Sequence, residues 1–491
     1  MKETLKDKTY FIAVDQGSSG TLSVLFDEAF NVLDRADIPV SRCTPGSGLV
    51  EHEPAEILAS VKKGIASLMD GHPGCLPGLA GIGLANQGES FLLWDTVNGT
   101  PLTRVISWQD TRSELLSAQL RRDGANDRFH AQTGLHLSAE WPALKVREMR
   151  ANDADLDARC RAGNVAFGQL DAWLLYELSG GKIFASDHGT ASRSGYYDLQ
   201  QRNWSGELRE MFCASDLIFP DLMDNTAHIA GLDAGLGKEV RWLAGGLDQS
   251  VTLIGQRCMR AQTAKITYGT CCACWLNTGA TPVFDEKMTT SVAWMLDGQA
   301  TMALAAEGGA AGNIITWLTE NFLVDWPLEA LSEIARESVA GNELVFVPAF
   351  NGLSSPWWER AKGALFGITQ NTTPAHILKA GLDAIAFTVK ALVDSMPVCD
   401  GIVFDGGMTD NGYLMQKQAD VLGFPVVKSA EREGTLMGIA YLCGWSLGIL
   451  PGGTLPDDRR ADRVYVPDPA WDRGEYDRWT ETVKTVISYY N

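Results

Sequence analysis

Apolar and turn-forming residues alternate at the start of the chain in the manner of a β-hairpin. Tyr10–Val14 is an unbroken apolar run, Asp15–Gly20 is small and polar, and Thr21–Phe26 is strand-like again. A third strand is expected over Asn31–Arg35. Apolar residues then recur at helical spacing over Pro54–Leu68 and Ser113–Arg122. Strand-like Gly81–Ala85 and Phe91–Trp94 lie between them, so the first half reads as mixed α/β.

The same grammar returns later. Ala264–Tyr268, Gly269-Thr270 and Cys272–Leu276 form a second strand–turn–strand. Strand-like Val292–Leu296 and Thr301–Leu304 follow, then a helix over Gly312–Asn321. Two halves that each open with a small-residue turn between strands imply a duplicated architecture with a cleft between them. The charge-free stretch Gly434–Pro456 is broken by glycines, whereas a spanning helix needs ~20 mostly apolar residues, so a buried helix followed by a turn is expected and no membrane anchor. The opening Met1–Lys8 mixes charges and lacks the apolar core of a secretory signal.

Length changes the picture next: 491 residues exceed the ~100–200 expected of one domain. Lys plus Arg number 41 against 61 Asp plus Glu, a net charge of −20. Such a chain repels a phosphate backbone, so no nucleic-acid partner is expected. Its ten cysteines show no framework spacing, which points to free thiols and a cytoplasmic protein. Cys271, Cys272 and Cys274 lack a second ligand pair, and small buried thiols are expected there rather than zinc.

Chemistry enters through three small-residue stretches. No G-x-x-x-x-G-K-[ST] loop is present: Gly237-Lys238 is followed by Glu239, and Leu232 stands where the first glycine belongs. The Rossmann glycine spacing and the protein-kinase H-R-D signature are missing too. Asp15–Thr21 ends a strand in a carboxylate that can face a hydrated Mg²⁺, followed by N–H and hydroxyl donors for phosphate oxygens. Gly269-Thr270 allows close backbone approach and adds a hydroxyl. Gly406-Gly407 ends a strand, and a helix from about Asn411 would aim its N-terminal N–H groups at an anion or nucleotide. Each stretch is also consistent with an ordinary turn.

Their order along one chain is more specific. Val14–Ser19, Val50–Pro54, Trp108–Arg112, Gly245–Gln249, Thr267–Thr270, Phe346–Phe350 with Gly352 and Pro356, Asp405–Gly407 and Gln416–Asp420 together resemble the FGGY carbohydrate kinases. The resemblance runs almost the full length and is closest to the glycerol kinases. It implies an α/β fold of two ribonuclease-H-like (actin-like ATPase) domains around a central cleft. Residues 1–252 would bind acceptor and phosphates, and 253–491 the nucleotide.

The implied reaction is transfer of the γ-phosphoryl of MgATP to a terminal hydroxyl. Asp248 falls on the catalytic base, which accepts the hydroxyl proton as the O–P bond forms. A helix N-cap on Gln249–Leu253 is its bland alternative. Asp15, with Asp248, falls near the Mg²⁺. Ser18, Ser19, Gly269 and Thr270 fall on phosphate contacts, and Gly406, Gly407 and Asn411 on the nucleotide side. Gln249 and Glu89 fall on the acceptor, with Trp108 as an apolar wall.

Four positions depart from the glycerol kinase pattern. Leu22 stands where an Arg usually follows the hydroxyl pair, removing a cation near the phosphates. Gly88 replaces an Arg, and with it goes a rigid fork of donors; Glu140 replaces a Tyr and Ala273 a Phe, so that two of these three changes widen the acceptor pocket and Glu140 adds an acceptor group. The expected substrate is therefore a small polyol or ketose longer than glycerol, handled by a cytoplasmic homodimer or larger homo-oligomer. Alternatives are a glycerol kinase proper, or a catalytically silent sugar- or nucleotide-binding regulator.

Overall fold

The computed structural model describes residues 8–309, 311–323, 326–338, 343–350, 352–359, 361–397, 399–456 and 461–490. The charged opening of the chain, apart from Lys8, lies outside them.

Two sheets share one plan. The first is built from β1 (Tyr10–Gln16), β2 (Gly20–Asp27), β3 (Val32–Pro39), β4 (Leu79–Asn86), β5 (Ile229–Asp233) and β6 (Glu239–Leu247), in the order β5-β6-β4-β1-β2-β3. The second contains β7 (Thr263–Tyr268), β8 (Cys272–Gly279), β9 (Thr289–Leu296), β10 (Gln299–Gly308), β11 (Gly401–Asp405), β12 (Val426–Ser429) and β13 (Ala461–Tyr465). Its order is β9-β10-β8-β7-β11-β12-β13. In each, an antiparallel hairpin (β1–β2, β7–β8) carries a third antiparallel strand on one side. Parallel strands (β4 then β6, β11 then β12) lie on the other. The expected hairpins and duplicated architecture are thus both present, and β3 and β10 run longer than their apolar patterns indicate.

Helix α1 (Pro54–Gly71) buries Ile57, Val61, Ile65 and Leu68 on one face of the first sheet. The opposite face is covered by α2 (Asp248–Gly255) and α3 (Gly434–Ser446), with Phe11, Ala13, Val24 and Phe26 meeting Val251, Ile254, Leu436 and Ile439. Helix α3 follows the last parallel strands of the second sheet yet packs on the first, so it joins the halves. It is the buried helix expected at Gly434, and among the described residues no helix is long and apolar enough to cross a membrane.

Glycine makes the crossing possible. A Cβ on Gly255 would sit 1.8 Å from the Gly434 carbonyl oxygen, and one on Gly438 would sit 2.0 Å from that of Val251. Gly438→Ala is expected to cost about 1–3 kcal/mol, since backbone must move to admit a methyl group. Gly452→Ala, with nothing within 4 Å of its Cβ, should stay within roughly 0.5 kcal/mol of wild type. Urea unfolding compares the two; equal midpoints would show that the helices separate freely.

Candidate active site

The parallel strands of both sheets release their chemistry at their C-terminal ends, where ligands bind in open α/β sheets. Asp15 lies next to the end of β1, Glu89 just beyond β4, and Asp248 immediately after β6. The register Asp15↔Ala85↔Gly246 aligns these ends along one edge. Across the cleft, Tyr268 ends β7 and Asp405 ends β11.

These carboxylates are crowded and poorly hydrated. Burial, then the charge of Glu433, pushes Asp15 up to about 7. Burial, then Asp15 and Glu89, pushes Asp248 up to about 8. Asp248 is not the N-cap: Leu247 holds that place, and the Asp248 carboxylate accepts from the Gln249 backbone N–H at 2.6 Å. The nearby cation is Lys265, wholly buried in the middle of β7. Its Nζ donates to Gln249 Oε1 at 2.5 Å and Thr267 Oγ1 at 2.9 Å. Burial pulls this lysine down, while Asp405 and Asp248 counteract. Gln249 therefore turns its carbonyl to Lys265. Among otherwise apolar neighbours in β7, a lysine was the sequence signal for it.

The phosphate-type loops are well formed. The first turn closes through Gly17 N–H to Gly20 O at 2.9 Å. Ser18 Oγ accepts from Trp108 Nε1 at 2.9 Å and donates to Gln87 Oε1 at 3.0 Å. Ser19 is exposed. Gly269 and Thr270 are exposed, and their carbonyls accept from Gly312 and Asn313 N–H at 3.0 and 2.9 Å, starting the helix Gly312–Asn321. Gly406, at φ 91°, brings its Cα so close to Tyr268 that a Cβ would lie 2.4 Å from that carbonyl oxygen. Gly407 is exposed, while the Asn411 side chain caps the helix Gly412–Leu422 by accepting from Leu414 N–H at 3.0 Å.

The region of Glu89 and Glu140 holds a group the motifs did not single out. Arg193, at 2% exposure, donates from Nε to Glu89 Oε1 at 2.5 Å, and its Nη2 lies 3.8 Å from Glu140 Oε1. Burial works against its charge, but Glu89, Glu140 and Glu307 hold its protonation up. Another element thus brings an arginine into this region, with its fork turned to protein groups rather than left open. Nor does Gly88 leave a void, because a Cβ there would meet Leu247 Cδ1 at 2.1 Å. The widening is confined to Ala273, whose cross-strand partner is Glu307. Ala191–Ser194 offers only small residues around Arg193, so no local pattern announces it.

Behind Trp108, other matching motifs serve as a buttress. Arg112 donates from Nε and Nη2 to Asp110 at 2.8 and 2.9 Å, and from Nη2 to Glu51 at 2.7 Å. Burial raises Asp110, yet the Arg112 bonds and the Arg112 and Val50 N–H groups together hold it below the usual range. Lys145 Nζ donates to the carbonyls of Ser107 and Trp108 at 2.7 and 3.2 Å.

Duplicated sheets, an interdomain cleft and carboxylates at the strand ends define a phosphotransferase of the actin-like ATPase class. Comparison with known proteins narrows this. The model described as "FGGY family of carbohydrate kinases, N-terminal domain" matches residues 10–255, and the C-terminal counterpart matches 264–447. A glycerol kinase of Rhodopseudomonas palustris is 34% identical over 93% of this chain and 94% of its own. One from Aromatoleum aromaticum is 34% identical over 97% and 98%. Plasmodium falciparum glycerol kinase with ADP superposes with a TM-score of 0.86 at 26% identity, covering 98% of both chains. A Lactobacillus acidophilus xylulose kinase shares the fold, with a TM-score of 0.87 at 19% identity, covering 98% of this chain and 100% of that one. The chain belongs to the FGGY family of carbohydrate kinases, which phosphorylate a polyol or sugar with ATP.

Arg112→Ala should destabilise the fold by about 3–5 kcal/mol, since it strands a buried carboxylate. The lowered Asp110 contributes stability above its unfolded pKa and loses it as pH falls through the folded one. The variant should therefore lose most at neutral pH and converge on wild type in acid. Denaturant titrations at both pH values check this; a loss under about 1 kcal/mol at neutral pH would mean that water reaches the pair.

Proposed function

We propose that the protein transfers the γ-phosphoryl of ATP to a terminal hydroxyl of a polyol or ketose longer than glycerol. Asp248 acts as the base, with Glu89, Trp108, Glu140, Gln249, Gly88 and Ala273 around the acceptor. Residues 1–252 contribute the acceptor and phosphate side, and 253–491 the nucleotide side through Gly406, Gly407 and Asn411. Ser18, Ser19, Gly269 and Thr270 face the phosphates. The observation that carries the reading is the crowding of Asp248 with Asp15 and Glu89 at adjoining strand ends.

Asp15 and Asp248 also fit a Mg²⁺ ion. Two carboxylates that burial and repulsion push up together are relieved by a cation. Magnesium is usually held by one or two carboxylates plus substrate phosphates. Among the described residues no set of three or more His, Cys, Asp or Glu forms a cage. Bound there, the ion would offset charge on the phosphates. Asp248 accepts the acceptor proton at a carboxylate oxygen, Lys265 keeps Gln249 and the start of α2 in register, and the Trp108 ring excludes water from one side. None of the ten cysteines is in a disulfide, which supports a cytoplasmic setting; we expect a homo-oligomer, a dimer or larger.

Asp248→Asn is expected to lower kcat by roughly 10²–10⁴-fold with nucleotide binding nearly intact. A variant within about threefold of wild type would remove Asp248 from the base role. An ADP-release screen over three- to six-carbon polyols and ketoses tests the acceptor. Glycerol should trail a four- or five-carbon compound in kcat/KM by on the order of tenfold, as one or two lost contacts imply. If glycerol outperforms every longer acceptor, the pocket reading fails; if nothing releases ADP, the kinase reading fails.

A further inference from the structure

Donors and acceptors are unequally shared in the acceptor site. The Arg193 fork is committed to protein: Nε to Glu89, and Nη1 to Thr289 Oγ1 and Ser291 Oγ at 3.2 and 3.3 Å. Nη2 faces Glu140 at 3.8 Å. The guanidinium also lies 4.6 Å from the centroid of Trp141 and 5.6 Å from that of Trp275, which fixes its plane. A ligand carboxylate could claim this arginine only by breaking those bonds.

The carboxylates are the opposite case. Glu307 stands directly across the strand pair from Ala273, where Cβ atoms are ~4.5–5.5 Å apart. The residue across from the half-buried Glu307 is thus an alanine, with little side chain to lay over its head. Its charge acts on Arg193, Glu140 and Glu89, so it belongs to the same cluster. Among the described residues neither the Glu140 nor the Glu307 carboxylate accepts a hydrogen bond, although Glu140 faces Arg193. The site thus presents lone pairs in excess and no uncommitted cation from the guanidinium.

We propose that Arg193 and Glu307 set acceptor specificity: Arg193 is a positioning residue that fixes Glu89 and Glu140, and Glu307 is the third carboxylate facing the acceptor, so the site takes a neutral or ammonium-bearing polyhydroxyl compound and refuses a sugar acid. Hydroxyls donate to carboxylate lone pairs. An acid adds like charge in a poorly hydrated space, where repulsion is strong. This rests on the acceptor reading under Proposed function.

The test compares ribitol with ribonate, equal in length and different in charge, by ADP release from wild type, Glu307→Gln, Arg193→Lys and Arg193→Gln. Wild type should use ribitol and discriminate against ribonate. Glu307→Gln should raise the ribitol KM roughly tenfold, leave kcat within about threefold, and narrow the ribitol-to-ribonate ratio by tenfold or more, the pattern of lost ground-state binding. Arg193→Lys should not rescue Arg193→Gln, because a point charge cannot replace the fork. Equal use of both compounds by wild type overturns the proposal, as does a ratio unchanged in Glu307→Gln. The isosteric Glu307→Gln decides the matter if the Arg193 variants fold poorly. Absence of ADP release with any acceptor overturns the kinase reading itself, which separates the two failures.

Discussion

Three carboxylates, those of Asp15, Glu89 and Asp248, have to be kept near one another at adjoining strand ends, and the rest of the structure answers to that constraint. Removing an ion from water costs several kcal/mol even after relaxation. Two buried cations make the cluster tolerable from opposite sides. Lys265 reaches it from the middle of β7, between Asp248 and Asp405. Arg193 reaches it from beside Glu140 and bonds Glu89 directly. Each cation is itself pinned by neutral partners, Gln249 and Thr267 for one, Thr289 and Ser291 for the other.

Such an arrangement needs rigid supports, because a displaced charge loses both its hydration and its partner. Parallel strands deliver the carboxylates in fixed register, and the helix pair α2–α3 locks the element that carries Asp248 to the first sheet. That contact works at backbone distance through Gly255, Gly434 and Gly438. Since α3 follows strands of the second sheet, the same packing ties the two halves together behind the cleft.

Much of this was legible in the chain. Hairpins, small-residue turns and the glycine-broken helix at Gly434 are local, and their patterns stand out because short-range sterics produce them. The family motifs also singled out Asp15, Asp248 and Glu89, which the fold sets at adjoining strand ends. What stayed hidden depends on register over long separations. Glu307 meets Ala273 only through strand pairing, and Arg193 meets Glu89 across 104 residues of chain. Substitution at Gly88 read as loss of a fork and gain of space; Leu247 reaches toward that space from another strand, and the arginine nearby, Arg193, is bonded to protein. Other matched stretches, Glu51 with Asp110 and Arg112, turned out to brace Trp108 from behind.

Ser18 ties the first turn to Trp108 and Gln87. Its hydroxyl has one proton and two lone pairs; the proton goes to Gln87 Oε1, and Trp108 Nε1 donates to the oxygen. In the phosphate-binding role proposed above, Ser18 would have to turn that proton toward a phosphate oxygen. Gln87 Oε1 would not be orphaned, because Ser90 Oγ also donates to it at 2.9 Å. The Trp108 bond uses a lone pair and survives the rotation, while Ser90 Oγ and Lys145 continue to hold the Trp108 backbone. Nucleotide arrival would then leave the acceptor wall standing. Keeping that wall fixed while the phosphate loop adjusts is what in-line transfer between two separately bound substrates requires.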